Sequence, residues 1–334
     1  MNEIARRGRQ SLALAAAFVL FATLAAAQDP STSSGQGYPV RPVRILVGFV
    51  AGSGTDTAAR LLAQKLDEQM KQPVLVDNRL GAGGNLASEL VAKAPPDGYT
   101  LVMASASMAI QPAMRIKLPF DMPRSFSAIS MVATGPFVLV VHPSVPAKTT
   151  AELVAIARSK PGILNYASSG VGSSAHLQGE LFNALSKTRA SHIPYKGSPQ
   201  AVLAVVSGEV DFSFPSITGA QPLLEAGRLR ALGVSTAKRT VLMPDMPTLH
   251  ETGLPGFDRT GWYALLGPAG IPRAVLLRLD AETASAVGAP ETKAAFFRQG
   301  LEVERITPVQ LFEFMQREVE QNIELARNAG IQKQ

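Results

Sequence analysis

The chain has 334 residues, with 32 Lys and Arg against 26 Asp and Glu, a formal net charge of +6, four His and no Cys. Without Cys there are no disulfides, no thiolate nucleophiles, no lipid-modified N-terminal Cys and no Cys-type zinc or iron–sulfur site, so the fold stands on its core alone. The mildly basic balance favours anionic partners, while the basic residues are scattered, with no basic helix and no aromatic-interleaved stripe, and so read as a solvated surface and argue against nucleic acid.

Arg6, Arg7 and Arg9 precede the apolar run "LALAAAFVLFATL" and the small residues Ala25 and Ala27. This is the layout of a secretory signal over residues 1–27, with cleavage expected near Ala27, and it marks the mature protein for export. The run is too short and too Ala-rich to favour the competing reading, a retained membrane anchor. Removing residues 1–27, which carry Glu3 against the three Arg, lowers the formal charge to +4. Residues 28–37 are polar and turn-rich and read as a disordered leader. The length that remains suggests two domains.

From Val43 the chain alternates short Val, Ile and Leu runs with helical-period segments. That is the pattern of largely parallel sheets with crossover helices. Strand "VRILVGF" leads through the turn "VAGSGT" into helix "DTAARLLAQKLDEQMKQ", whose Ala58, Leu61, Leu62 and Leu66 share a face. Strand "PVLVDN", the glycine turn "RLGAGGN" and helix "LASELVAKA" follow, stopped by Pro95, Pro96, Asp97 and Gly98. Strand "YTLVMAS" ends in a small polar cluster at Ser105 and Ser107. "SAISMVATGPFVLVVHP" holds two strands around Gly135 and Pro136, and "TTAELVAIARSKPG" opens a helix with a Thr cap. Strand "ILNYASS", turn "GVGSS" and helix "AHLQGELFNALSK" then repeat the opening plan. Helix "PQAVLAVVSG", strand "VDFSF", helix "SITGAQPLLEAG" and strand "LRALGVS" complete a second block, and "MPDMPTLHETGLPGFD" reads as a connection.

Strand "WYALLGP" and three helices close the chain and cannot bury their apolar faces by themselves. They are expected to pack back on the first block. Domain 1 is then discontinuous, residues 38–140 plus 258–334, and domain 2 spans 141–257. The chain crosses between them near Val140 and again between Phe257 and Trp262, which makes a hinge. The expected fold class is α/β, two domains with the ligand cleft between them at the carboxyl ends of the strands.

The turn "AGSGT" admits several guests: a nucleotide phosphate, a reaction intermediate, a carboxylate, or none. "GSGTDT" lacks the third glycine of a dinucleotide fingerprint, and no Gly-Lys-Ser/Thr follows for a P-loop. Ser173 and Ser174 stand near His176, but such spacing at a helix start does not align a nucleophile with its base, and no G-x-S-x-G elbow occurs. A serine hydrolase is thus the weaker alternative, and the chain is expected not to be an enzyme. His142, His176, His192 and His250 lack metal-ligand spacing, so neither metal nor cofactor is expected. Anion capture by backbone remains: a glycine turn entering a helix presents free N–H groups and the positive end of the helix dipole, and Ser or Thr add hydroxyl donors. The turns "AGSGT" and "SSGVGSS" facing each other across a cleft would grip the two ends of a carboxylated molecule. Asp56 is a poor contact for an anion and reads as a helix cap or as an acceptor for an ammonium or hydroxyl group.

The segments "YPVRPVRILVGFVAGSGTDTAARLLAQKL", "QPVLVDNRLGAGGNLASELVAKAPPDGYTLVMAS", "HIPYKG", "GEVDFSF", "PDMPTLHETGLPGF" and "GWYALLGPAGIP" resemble, in order and spacing, the Bug-type extracytoplasmic solute receptors of tripartite tricarboxylate transporters. The resemblance runs from about Tyr38 to the final helix. It implies a type II periplasmic binding protein fold that closes on a small carboxylated or amino acid ligand. It further implies delivery of that ligand to integral membrane transporter subunits by a monomeric receptor; presentation of the closed form to a signalling partner is the alternative. Carried over by motif, the ligand contacts would be Phe49, Ala51, Ser53, Gly54, Thr55, Asp56, Ser105 and Ser107 from the first domain. From the second they would be Ser168, Gly172, Ser173, Ser174 and His176, with Tyr195 and Asp211. The chain departs from the family at the first turn, where Gly48, Val50 and Ala51 stand in a usually proline-containing stretch and Ser53 replaces a common glycine. It departs again at Gln111-Pro112, where Asn-Pro is frequent.

Overall fold

The computed structural model describes residues 37–114, 117–328, 330, 331 and 333, and the expected signal at 1–27 with nearly all of the expected leader at 28–37 lies outside the described residues. Two sheets carry the fold. The first is built from β1 (Val43–Val47), β2 (Val74–Asn78), β3 (Thr100–Ser105), β4 (Phe126–Pro136), β10 (Thr260–Pro268) and β11 (Glu302–Val303), in the order β11-β4-β10-β3-β1-β2. β1 runs parallel to β2 and β3, while β10 inserts between β3 and β4 antiparallel to both. The second is built from β5 (Val138–Val141), β6 (Asn165–Ser168), β7 (Ser191–Pro194), β8 (Phe212–Ser213) and β9 (Arg230–Val234), in the order β7-β6-β8-β5-β9.

Strand β5 shows why a short apolar run belongs inside a sheet. All four residues are fully buried, and they alternate between two cores. Val138 and Val140 pack with Ala201, Val205 and Ile217, whereas Leu139 and Val141 pack on the other face with Tyr166, Phe182 and Phe212. A period of two with both faces covered is what a central strand requires. Because Val138–Val141 pairs with β8 and β9, the chain leaves the first sheet at Phe137, slightly before the Val140 position read from the sequence. It returns at β10 after a proline-rich connection whose Leu249, Leu254 and Phe257 plug the second core.

Helices α1 (Gly54–Met70), α2 (Asn85–Ala92) and α3 (Ala106–Met114) follow β1, β2 and β3. α4 (Thr150–Ser159), α5 (Ser174–Ser186), α6 (Ser198–Val206) and α7 (Ile217–Glu225) serve the second sheet. α8 (Arg273–Gly288), α9 (Pro290–Arg298) and α10 (Pro308–Asn328) follow β10, and α10 sets Leu311 and Met315 into the first core beside Trp262, Ala264 and Leu266. α3 has no counterpart in the sequence reading. Its residues "ASMAIQPAM" are buried except for Pro112, so it lacks the polar stripe that reveals an amphipathic helix, and the internal proline hides it further.

Candidate functional site

Two turns of the same construction face each other. In the first, Gly52 sits at φ +80°, Ser53 caps α1 by accepting the Asp56 N–H, and the Gly52 N–H donates to Asp56 Oδ2 at 3.0 Å. In the second, Gly172 sits at φ +78°, Ser173 caps α5 by accepting the His176 N–H, and the Gly172 N–H donates to His176 Nδ1 at 3.1 Å. Left-handed φ explains the glycine and cap geometry explains the serine. Asp56 and His176 are therefore equivalents, each holding its turn from four residues further on with its acceptor aimed at the turn.

Their surroundings fix their charge. Burial by itself raises the Asp56 pKa, but hydrogen bonds from Arg60 Nε and Asn78 Nδ2, both 2.9 Å, and from the Gly52 N–H outweigh it, together with the Arg60 charge, and keep the carboxylate ionised. Burial pushes the His176 pKa down to about 3, helped by the His192 ring stacked on it at 3.9 Å. His176 is thus neutral near pH 7, with Nδ1 the acceptor and the proton on Nε2. Burial likewise brings His192 to about 4, and its Nε2 lies 2.6 Å from Ser168 Oγ.

Between the turns lies a cavity of about 60 Å³. Five helix N-termini meet on it: Ser53, Gly54 and Thr55 of α1, Ser105 to Ser107 at α3, Ser174 and Ala175 of α5, Ser198 of α6, and Ser216 at α7. Phe49, Phe137, Ser169, Phe214, Pro215, Gly261, Trp262 and Tyr263 complete the lining, and none of the described lining residues is charged. Each helix start contributes partial positive charge and free N–H groups, and the serines add hydroxyls, so the cavity suits an anion without a countercharge. The buried Tyr263 phenol, its pKa pushed up by burial, stays protonated and can donate. Its hydroxyl lies so close to Gly54 that a Cβ there would stand 2.4 Å away, which gives that glycine a steric reason.

The walls touch. Ser107 Oγ and Ser174 Oγ are 3.3 Å apart, and Gln111 of α3 donates from Nε2 to the Gly172 carbonyl at 3.0 Å. A Cβ on Gly83 would fall 2.7 Å from the Val171 carbonyl, so the turn before α2 reaches the opposite wall only because it carries glycine.

Of the residues singled out in the sequence, Phe49, Ser53, Gly54, Thr55, Ser105, Ser107 and Ser174 line the cavity. Asp56, Ser168, Gly172, Ser173 and His176 stand behind the wall and hold its turns. Ala51 is exposed beside the turn, and Tyr195 lines a neighbouring cavity with its hydroxyl on Glu209. Asp211 accepts the N–H of Asn165, at the start of β6 and so at the end of that strand away from the cavity. Sequence reasoning passed over Ser198 and Ser216, although "KGSPQ" and "FPSIT" place a serine at a helix start. Phe137, Trp262 and Tyr263 carry no local signal. Among the described residues no cluster of His, Asp and Glu is placed to hold a metal, and no helix is long and apolar enough to cross a membrane.

Two α/β domains joined at a hinge, with a cavity at the helix N-termini between them, define a type II periplasmic binding protein. Solved structures agree: an R. palustris protein with adipate superposes with a TM-score of 0.86 at 32% identity, covering 89% of this chain and 100% of its own. MatC from Rhodopseudomonas palustris with bound malate gives 0.83 at 31% identity, covering 86% and 100%. The sequence model of the tripartite tricarboxylate transporter family receptor matches residues 58–331. BugT of Bordetella pertussis is 32% identical over 321 residues, 96% of this chain and 97% of that protein. The chain belongs to this family of Bug-type solute-binding receptors.

Proposed function

We propose that the chain is a periplasmic receptor that captures a small carboxylate in the cavity between the two sheets and delivers it to a tripartite tricarboxylate-type membrane transporter. The observation that carries this reading is the convergence of five helix N-termini and their serines on a cavity with no charged lining residue. A carboxylate meets fixed dipoles and hydroxyl donors there, whereas a cation finds no carboxylate among the described lining residues and faces the positive ends of the helices. The relatives solved with adipate and malate support the same ligand class. Because the donors come from both walls, the ligand makes its full set of contacts only when the walls are together, and binding favours the closed form that the membrane partner would recognise.

A serine hydrolase finds no support in the same geometry. The Ser173 hydroxyl accepts the His176 N–H, and the His176 acceptor nitrogen is occupied by the Gly172 N–H, so the imidazole is not poised to take a proton from Ser173. The test is a thermal-shift panel on protein refolded once from denaturant, against dicarboxylates, tricarboxylates, amino acids, aromatic acids and sugars. A ligand at about 100 times its Kd adds roughly 2.7 kcal/mol. A saturable shift confined to acids, and weakened in Thr55→Val and Ser174→Val, is the expected result. Shifts with sugars alone, or with nothing, would sink the proposal.

A further inference from the structure

The inner cavity between the two Gly-Ser turns has a small neighbour at the hinge, of about 10 Å³, and the two share Ala106, Phe137 and Ser174. The chain passes this spot in both directions. It leaves the first sheet at Phe137 and returns through Arg259 and Thr260, which also line the small cavity. Ser235 stitches the two crossings together: its Oγ accepts the Phe137 N–H at 3.0 Å and donates to the Arg259 carbonyl, and its own carbonyl accepts the Arg259 N–H at 2.7 Å. Among the described residues, four buried polar atoms on side chains that line this cavity have no partner. On the second-sheet wall Gln178 of α5 is 1% exposed, and neither its Oε1 nor its Nε2 is hydrogen-bonded. On the facing wall Asn322 of α10, also 1% exposed, leaves Nδ2 unpaired, and Arg259 leaves Nε unpaired although its Nη1 donates to Asn322 Oδ1 at 3.1 Å. Glu318, one turn before Asn322, completes the polar lining and accepts the Trp262 indole N–H at 3.2 Å.

Buried polar groups without partners are rare and costly, and four in one place call for a guest. That guest has to accept from the Arg259 and Asn322 N–H groups and donate to the Gln178 oxygen. A halide cannot donate to Gln178 and would meet the Glu318 carboxylate; an ammonium ion cannot accept. Water does both, and the space admits a water-sized guest. We propose that the hinge cavity holds a bound water that joins Gln178 on one wall to Arg259 and Asn322 on the other, and that this bridge favours the closed form without touching the ligand. Gln178 lies one helical turn beyond Ser174, whose hydroxyl meets Ser107 across the cleft at 3.3 Å. A parting of the walls that separates those two serines therefore also draws Gln178 away from α10. Gln178 is then a positioning residue, acting on the ligand only through closure. This rests on the receptor reading and adds to it the residues that govern how firmly the cleft shuts.

The test is titration calorimetry of the full protein with adipate, malate and the other acids of the thermal-shift panel. Gln178→Met, which matches the side chain in length and carries no amide, should raise the Kd by about two- to tenfold, the worth of one net hydrogen bond. The melting temperature of the empty variant should not fall, because a buried amide has been exchanged for an apolar group of similar shape. An unchanged or tighter Kd overturns the proposal, and so does weaker binding accompanied by a lower melting temperature, which is what general destabilisation gives. Asn322→Leu removes the other end of the bridge, so adding it to Gln178→Met should cost little further affinity; fully additive losses overturn the proposal. A crystal structure of the unmodified protein with acid bound decides independently of whether the variants fold. It should show a water within hydrogen-bond reach of Gln178 and of Arg259 or Asn322, and a dry cavity, or one filled by the acid itself, overturns the proposal while the receptor reading stands. Failure of every acid to bind the unmodified protein overturns the receptor reading, and the closure role of Gln178 with it.

Discussion

Gln111 is fully buried, and its amide ties the two walls together. Nε2 donates to the Gly172 carbonyl across the cleft at 3.0 Å and to the Gly83 carbonyl on its own side at 3.3 Å, while Oε1 accepts from Asn85 Nδ2 at 3.1 Å. Of these three bonds the first is the one that spans the cleft. In Gln111→Ala the closed form loses that bond, net about 1 kcal/mol, and leaves a carbonyl without its partner at up to about 3 kcal/mol. At 1.4 kcal/mol per tenfold, the closed-to-open ratio falls by roughly five- to 150-fold. The dissociation constant for whichever acid stabilises the protein should rise by up to that factor, the full amount applying if the empty receptor is mostly open. Calorimetric titration measures it. The melting temperature of the empty protein reports separately on the two bonds lost within the first wall, expected at a few degrees. Gln111→Glu controls for volume: it keeps an acceptor for Asn85 but has no donor for Gly172, so it should also bind weakly. Wild-type affinity in both variants would show that the cross-wall bond contributes nothing to closure and would refute the reasoning.

Gly54→Ala places a Cβ 2.4 Å from the Tyr263 hydroxyl on the same wall, so it should weaken acid binding by roughly tenfold or more by pushing that phenol out of its place in the cavity lining. Adding Tyr263→Phe should recover part of that loss, and no recovery in titrations of the double variant would discard the steric explanation. Ser173→Ala removes the α5 cap and should cost about 1 kcal/mol in a urea melt while changing the acid dissociation constant little, since this hydroxyl faces its own helix. A loss of affinity exceeding tenfold without loss of stability would place Ser173 on the ligand instead. His176 has its pKa lowered from 6.5 to about 3, so below pH 6.5 the unfolded chain takes up the proton first and stability falls with pH by roughly 1 kcal/mol per unit, with His192 adding to the slope. Urea midpoints between pH 7 and pH 5, above the range where carboxylates titrate, should show this slope and show it reduced in His176→Gln; identical slopes would refute the assignment.

What the sequence revealed and what it hid divide along the range of the forces involved. The two Gly-Ser turns were legible because their requirements are local: a left-handed φ calls for Gly52 and Gly172, and a helix start calls for Ser53 and Ser173. The family resemblance carried Asp56 and His176 over as ligand contacts, although the turn itself already suggested a cap for Asp56, because a polar side chain near a glycine turn looks alike whether it faces a guest or holds the turn. Only the hydrogen bonds to the Gly52 and Gly172 N–H groups separate the two cases. α3 stayed hidden because it is apolar on every side, and Tyr263 because its role depends on β10 entering the first sheet between β3 and β4, far along the chain from both.

The same division bears on how a receptor of this build changes its ligand. The partial charges around the inner cavity belong to helix starts, and each start is fixed by the sheet that carries the helix. Substituting a cavity serine removes a hydroxyl but leaves the N–H groups in place, so preference for an anion is a property of the fold and resists point mutation. The neighbouring cavity beside Tyr195 is made differently. Leu80, Val171, Tyr195 and Lys196 meet it through side chains on turns and at a strand end, where exchange costs little stability. The shape of the neighbouring cavity should therefore change readily among proteins of this architecture, while the array of helix-start donors around the inner one should not.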